Sequence, residues 1–197
     1  MDRLILKTRA SLKDAFIQLV KNQPFDTITV QQIADTANVD RATFYKHYAN
    51  THHLLATLEK AVIEKVRQMI EARTPVNGIE PLDSQLTYDT IVRIYQYMEE
   101  EHALMEVLLH SNEQTTVITN MQSVFEQMLL RYFKQVPAAE DAVPLDVVVA
   151  YLASANIGVL RQWLLKKTRE TPEQMACMLM KIFRAGPVVA ITEPLQP

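Results

Sequence analysis

Glycine is scarce in this chain: Gly78, Gly158 and Gly186 are the only three among 197 residues. Folds built on tight turns or glycine-rich phosphate loops need more, which argues against α/β nucleotide-binding and β-rich architectures. Cysteine is scarcer still. With Cys177 alone no intrachain disulfide can form, which fits a reducing compartment. The most apolar stretch, Val147 to Leu160, is closed by Asp146 and Arg161 and falls short of the ~20 residues of a bilayer span. The opening "MDRLILKTRA" mixes charges into its apolar residues and shows no signal-peptide pattern. Catalytic signatures are missing as well: there is no G-x-G-x-x-G, phosphate-loop pattern, G-x-S-x-G or H-E-x-x-H. Cys177 lies in an apolar run and reads as an inert core or interface thiol. These absences point to a soluble cytoplasmic protein that is not an enzyme, needs no cofactor and does not enter a membrane.

Apolar residues make up 48% of the chain, enough for a sizeable core. Abundant Leu, Met, Ala, Gln and Glu favour helices, so the fold class is all-α. The net charge of −3 is unevenly spread. Residues 1–53 carry seven Lys/Arg against five Asp/Glu, and residues 54–197 thirteen against eighteen, a slightly basic head on an acidic body.

Residues 3–21 have the apolar spacing of an amphipathic helix, with Ile5, Leu12, Ala15, Phe16, Leu19 and Val20 inward, Lys7, Arg9 and Lys13 on other faces, and Pro24 as its stop. Thr29 and Gln32 then form a capping box, flanked by Ile28 and Ile33 as a hydrophobic staple, and a helix opens at Val30. Asn38 stands where the chain needs a left-handed turn residue. Asp40 is a second N-cap for a short helix from Arg41 to about Tyr48, and Asn50 opens a long helix to about Arg73. Two short helices joined by a tight turn and packed on a longer first helix make a helix-turn-helix.

Wound at 100° per residue, "VDRATFYKHY" separates into two faces. Val39, Phe44 and Tyr48 turn inward. Arg41, Ala42, Thr43, Tyr45, Lys46 and, at the margin, His47 turn outward. A small residue amid cationic and hydroxyl groups suits the major groove of double-stranded DNA. Ala42 permits close approach, Arg41 and Thr43 can read base edges, and Tyr45, Lys46 and His47 can donate to phosphates. A structural helix pair that merely exposes polar residues is the bland alternative.

From Ile28 to Leu55, with "FYKHYAN" following "NVDRAT", the sequence resembles the N-terminal domain of the TetR (tetracycline-repressor) family; with the first helix the resemblance covers residues 3 to about 65. It implies DNA contacts at Thr29, Arg41, Thr43, Tyr45, Lys46 and His47. The family usually has Asn-Lys where this chain has Asn50-Thr51, so Thr51 can still hydrogen-bond phosphate but one charge is missing. The implied organisation is an N-terminal three-helix helix-turn-helix domain (1–50), a connecting helix (51–73), a C-terminal helical bundle for ligand sensing and dimerisation (74–187) and a tail (188–197).

In the C-terminal part, "RTPVNGIEPLDS" reads as a linker, and helices follow at about 84–99, 101–111, 113–135, 145–167 and 172–185. Thr171, Pro172 and Gln174 mark the start of the last helix and Gly186-Pro187 its stop. Tyr88, Ile91, Tyr95, Met98, Met105, Met121, Phe125 and Met128 are adaptable apolar residues that either fill an ordinary core or line a cavity; the resemblance, whose sensors keep a pocket there, favours the cavity. Helix 145–167 is apolar nearly all round, with a small-residue stripe of Ala150, Ser154 and Gly158. It is either buried in one chain or, with Trp163, Met175, Met178, Leu179 and Ile182, forms a homodimer interface. His102, Glu106 and His110, with Glu99 a turn earlier, are spaced to hold a divalent metal or to sit on a solvated face; His47, His52 and His53 are a weaker cluster, and no metal is expected.

The sequence therefore predicts a dimeric regulator on a palindromic operator, and the resemblance implies a repressor answering a small-molecule effector. The alternative is a DNA-binding regulator or activator controlled by a protein partner, with a packed core and no cavity.

Overall fold

The computed structural model describes residues 2–72, 82, 84–110, 114–136, 140 and 142–192. Among them the chain is helical throughout: α1 (Asp2–Val20), α2 (Val30–Thr36), α3 (Arg41–His47), α4 (Thr51–Glu71), α5 (Gln85–Glu100), α6 (His102–His110), α7 (Gln114–Phe133), α8 (Leu145–Leu165) and α9 (Pro172–Thr192). A single 3₁₀ turn, Phe25–Thr27, follows Pro24. The expected linker falls outside the described residues apart from Leu82 and Ser84.

The chain divides into two compact units. The first takes in residues up to Val62 together with Ala103–Val117, and the second holds Ile63–His102 and Ile118 onward. The sequence boundaries placed residues 74–187 in one C-terminal domain. The structure instead groups nearly all of α6 with the N-terminal helices, and α4 carries the chain from one unit into the other.

In the first unit Leu12, Phe16, Ile33, Phe44 and Leu54 are wholly buried. Phe25 meets Phe16 edge-on at 6.0 Å, which closes the turn after α1 onto that core. The first turns of α1 lie beyond it. Ile5, expected inward, is 37% exposed, between Leu4 and Leu6, which are more exposed still.

Caps fix the short helices. The Thr29 hydroxyl accepts from Gln32 N at 3.2 Å while Gln32 Oε1 accepts from Thr29 N at 2.9 Å. At the other end of α2, Asn38 adopts φ 53°. Val39 N donates to Ala34 O at 3.0 Å and Asn38 N to Asp35 O at 3.1 Å, the paired bonds of a Schellman turn. Asp40 Oδ1 accepts from Thr43 N at 2.5 Å and opens α3 directly.

In the second unit α5 and α9 pack along each other. Leu129 of α7 meets Val149 and Ala153 of α8 in a cluster supported by Phe125, Met128 and Phe133. Gly186 does not end the last helix for good. Its φ of 79° and ψ of 161° break the ladder, but the chain re-enters a helix and runs to Thr192. Pro187 is tolerated because it stands in the first turn of that new segment, where a missing N–H costs nothing. The expected tail is thus helical as far as Thr192.

The sequence judged the apolar run of α8 too short for a bilayer. The whole helix Leu145–Leu165 is long and apolar enough to cross one by length and composition, with 33% of that stretch buried. Core helices pass the same test, and the buried face of α8 packs on α7.

Candidate functional site

α3 presents two faces. Phe44 and Tyr48 are buried, and Val39 is half-buried just ahead of the helix. Arg41, Ala42, Tyr45 and Lys46 are exposed, and Thr43 and His47 half-buried. Phe44 braces both aromatic neighbours, with ring centroids 5.8 Å from Tyr45 and 5.7 Å from Tyr48. Tyr45 itself stays 47% exposed. Arg41 lies back along the helix: its Nη2 donates to the Tyr45 hydroxyl at 3.0 Å and its guanidinium sits 5.4 Å from the ring centre. One turn of separation places the two side chains over each other, so they present a joint cationic and phenolic group.

The electrostatics of this face are positive. The His47 imidazole is held below its usual value, first by partial burial, then by the positive charges of Arg9 and Lys46. Sequence reasoning left Arg9 out of the site because its own helix offered no reason to include it. Only the packing of α1 brings it near enough to act on His47 and on Tyr48. Asp40, the one carboxylate at the head of α3, is held below the ordinary value chiefly by the backbone and side-chain hydrogen bonds of Thr43.

The flanking positions are tied into caps. The exposed Thr29 has its hydroxyl committed to Gln32. Thr51 is half-buried at the start of α4, behind Asn50, whose Oδ1 accepts from His53 N at 2.8 Å. His53 Nδ1 in turn accepts from Ala49 N at 3.0 Å, and His52 stacks edge-on against Phe25 at 4.9 Å. These two histidines serve local structure.

The second unit holds a cavity of about 540 Å³ bounded by side chains of α4, α5, α7, α8 and α9. Four of the sequence candidates line it: Ile91, Tyr95, Phe125 and Met128. Four do not. Met98 and Met121 are buried core residues of this unit, Met105 is buried in the first unit, and Tyr88 is turned toward Cys177 and Glu173 of α9. The α8 and α9 residues that complete the wall, among them Leu152, Asn156, Val159, Leu160, Ile182 and Phe183, were missed. Their helices read as interface helices, and period alone does not say which apolar side faces a void.

The proposed interface residues also divide. Ala150, Ser154 and Gly158 are exposed, in line with Val147 and Tyr151 at 53% and 58%. Met178 and Ile182 are half-buried, Ile182 against the cavity. Trp163, Met175 and Leu179 face the chain's own interior and are corrected to core residues. Trp163 is held there by donating Nε1–H to Glu170 O at 2.8 Å and by an edge-on contact with Tyr95 at 4.9 Å. Cys177, expected in a core or an interface, is exposed in the single chain. His102 Nε2 lies 3.2 Å from Leu164 O, the side chain of His110 falls outside the described residues, and among the described residues no His/Cys/Asp/Glu group could hold a metal.

Known proteins share this arrangement. The profile of bacterial regulatory proteins of the tetR family matches residues 14–58, and that of a transcriptional regulator C-terminal region of the TetR type matches residues 86–185. An uncharacterized HTH-type transcriptional regulator of Bacillus subtilis (strain 168), YxbF, is 36% identical over 77 residues, 38% of this chain and 20% of that protein. This chain thus spans about a fifth of that relative's length. The probable acrEF/envCD operon repressor of Escherichia coli (strain K12) is 24% identical over 175 residues, 81% of this chain and 77% of that protein. Among solved structures, SmeT in its triclosan complex matches with a TM-score of 0.70 at 17% identity, over 96% of this chain and 99% of that one; SmeT is the repressor of the Stenotrophomonas maltophilia multidrug efflux pump SmeDEF. At that identity the likeness is one of fold. With its helix-turn-helix head and matching C-terminal region, the chain belongs to the TetR family of DNA-binding transcriptional regulators.

Proposed function

We propose that the protein acts as a homodimeric repressor whose hold on a palindromic operator is released by a small molecule in the second unit. Each α3 enters a major groove. Arg41, Ala42 and Thr43 meet base edges, while Tyr45, Lys46 and His47, helped by Thr51 and by the free backbone N–H groups that follow Thr29 at the start of α2, hold phosphates. One head offers few contacts, and two-fold pairing doubles them. The exposed stripe of α8, from Val147 through Ala150, Tyr151, Ser154 and Gly158, is the surface that pairing would cover.

The cavity carries the ligand-responsive reading. A regulator driven by a protein partner needs no void in its body, whereas about 540 Å³ lies within the range of small-molecule sites. α4 offers a mechanical link: it starts next to the α3 cap and ends with Ile70 in the cavity wall. A ligand that binds one position of α4 better than another shifts the population of head spacings by that difference in affinity.

The test is a duplex chosen by DNA selection on purified protein, titrated with wild type and Ile91→Trp. Filling the cavity should leave operator affinity within about twofold while abolishing release by any effector of the wild type. Equal release in both proteins would remove the cavity from the mechanism.

A further inference from the structure

The wall of the cavity is uniform in one respect: none of the described side chains lining it is Asp, Glu, Lys, Arg or His. A charged ligand would therefore enter without a counter-charge, and a buried unpaired ion is among the costliest arrangements a protein can hold. Polar groups are few. Besides Tyr95 they are Thr87, Thr90, Tyr151 and Asn156: the Thr87 hydroxyl pairs with that of Ser84 at 3.2 Å, Thr90 Oγ1 donates to Leu86 O at 2.7 Å, Asn156 Nδ2 donates to Leu152 O at 2.8 Å, and Tyr151 is 58% exposed.

Tyr95 is different. The residue is 4% exposed and its ring is fixed edge-on against Trp163. Its hydroxyl makes no hydrogen bond to any described residue. Burial alone pushes its ionisation far above the ordinary phenol range, so the group stays neutral and keeps its proton to donate. As a residue of the cavity wall, Tyr95 can offer that proton to an acceptor in the void.

We propose that this cavity selects uncharged lipophiles carrying a single hydrogen-bonding group, and that Tyr95 recognises that group. The inference rests on the second unit being a sensor, and it names the chemistry sensed. Lipophilic cations and carboxylate amphiphiles meet no opposite charge on the described wall. Fully apolar molecules enter but leave the Tyr95 hydroxyl unmet.

Isothermal titration of the full chain at neutral pH with four probes of one ring size tests it: 2-naphthol, naphthalene, 2-naphthoate and 1-naphthylmethylammonium. 2-Naphthol should bind tightest and naphthalene about fivefold more weakly, the value of one net hydrogen bond. The two ions should be weaker by on the order of a hundredfold or more. In Tyr95→Phe the preference for 2-naphthol over naphthalene should fall to near unity. A preference that survives in Tyr95→Phe overturns the assignment of Tyr95. Either ion binding within about tenfold of 2-naphthol overturns the selectivity for neutral ligands and leaves the sensor reading standing. Binding by none of the four overturns the sensor reading itself.

Discussion

Lys46 is exposed on the outer face of α3, and Tyr45 beside it anchors the Arg41 guanidinium. Replacing Lys46 with Ala should weaken binding to all DNA sequences alike and lower the salt slope by about one, the signature of a lost phosphate contact. Tyr45→Ala should do more, since it also frees Arg41, and it should blur the selected base preference. Anisotropy titrations across salt, with selection repeated on the variants, would read both; unchanged affinity for both variants would remove α3 from the groove. His47 adds a pH dependence. Its imidazole is depressed in the free protein by burial and by Arg9 and Lys46, and a phosphate beside it would raise it. Binding then takes up a proton, so operator affinity should climb as pH falls below neutral and flatten in His47→Gln. Asp40 has the opposite sign. Its carboxyl is depressed on folding from 3.8, so its stabilising effect is complete above that value and disappears as pH falls through the lower folded value. The denaturation gap between wild type and Asp40→Ala should be full at neutral pH and close in strong acid. Most of this face was legible because caps and 100° spacing are local. Arg9 was not, because its place beside α3 depends on how two helices pack.

At the scale of elements, α8 and α9 show where periodicity stops informing. A helix that is apolar nearly all round must be covered on every side, yet nothing in its spacing tells the chain's own core from a cavity or a partner. That is why Trp163, Met175 and Leu179 looked like interface residues and proved to be core, while the exposed Ala150, Ser154 and Gly158 remain available for pairing. Gly158 separates the possibilities. A Cβ built there meets nothing within 4 Å in the single chain. Gly158→Trp should therefore leave the protomer folded by circular dichroism and yield monomers by sedimentation. A dimer surviving that variant would move the interface elsewhere. Gly186 makes a second prediction. With φ at 79° and ψ at 161° it occupies a region that is essentially reserved for glycine, so Gly186→Ala should cost about 1–3 kcal/mol in a denaturant series. The sequence signalled the break but not the resumed helix, because Gly-Pro reads equally well as a stop and as a kink.

Taken as a whole, the chain carries two candidate sites: a basic face on α3 whose residues come from one continuous stretch, and a cavity assembled from side chains of five helices. The division of the first into buried and exposed faces could be read from the sequence. Only part of the second could, since a void is a property of packing and its wall draws on α4 and on the far sides of α8 and α9. The grouping of α6 with the N-terminal helices was hidden for the same reason. The most direct test of the account is the stoichiometry and ligand response of the wild-type protein on its selected duplex, followed together by sedimentation and anisotropy. The predicted result is a palindromic site bound by two chains, a free protein that is already dimeric, and release on adding 2-naphthol. A non-palindromic site bound by one chain, with affinity indifferent to neutral lipophiles, would contradict it.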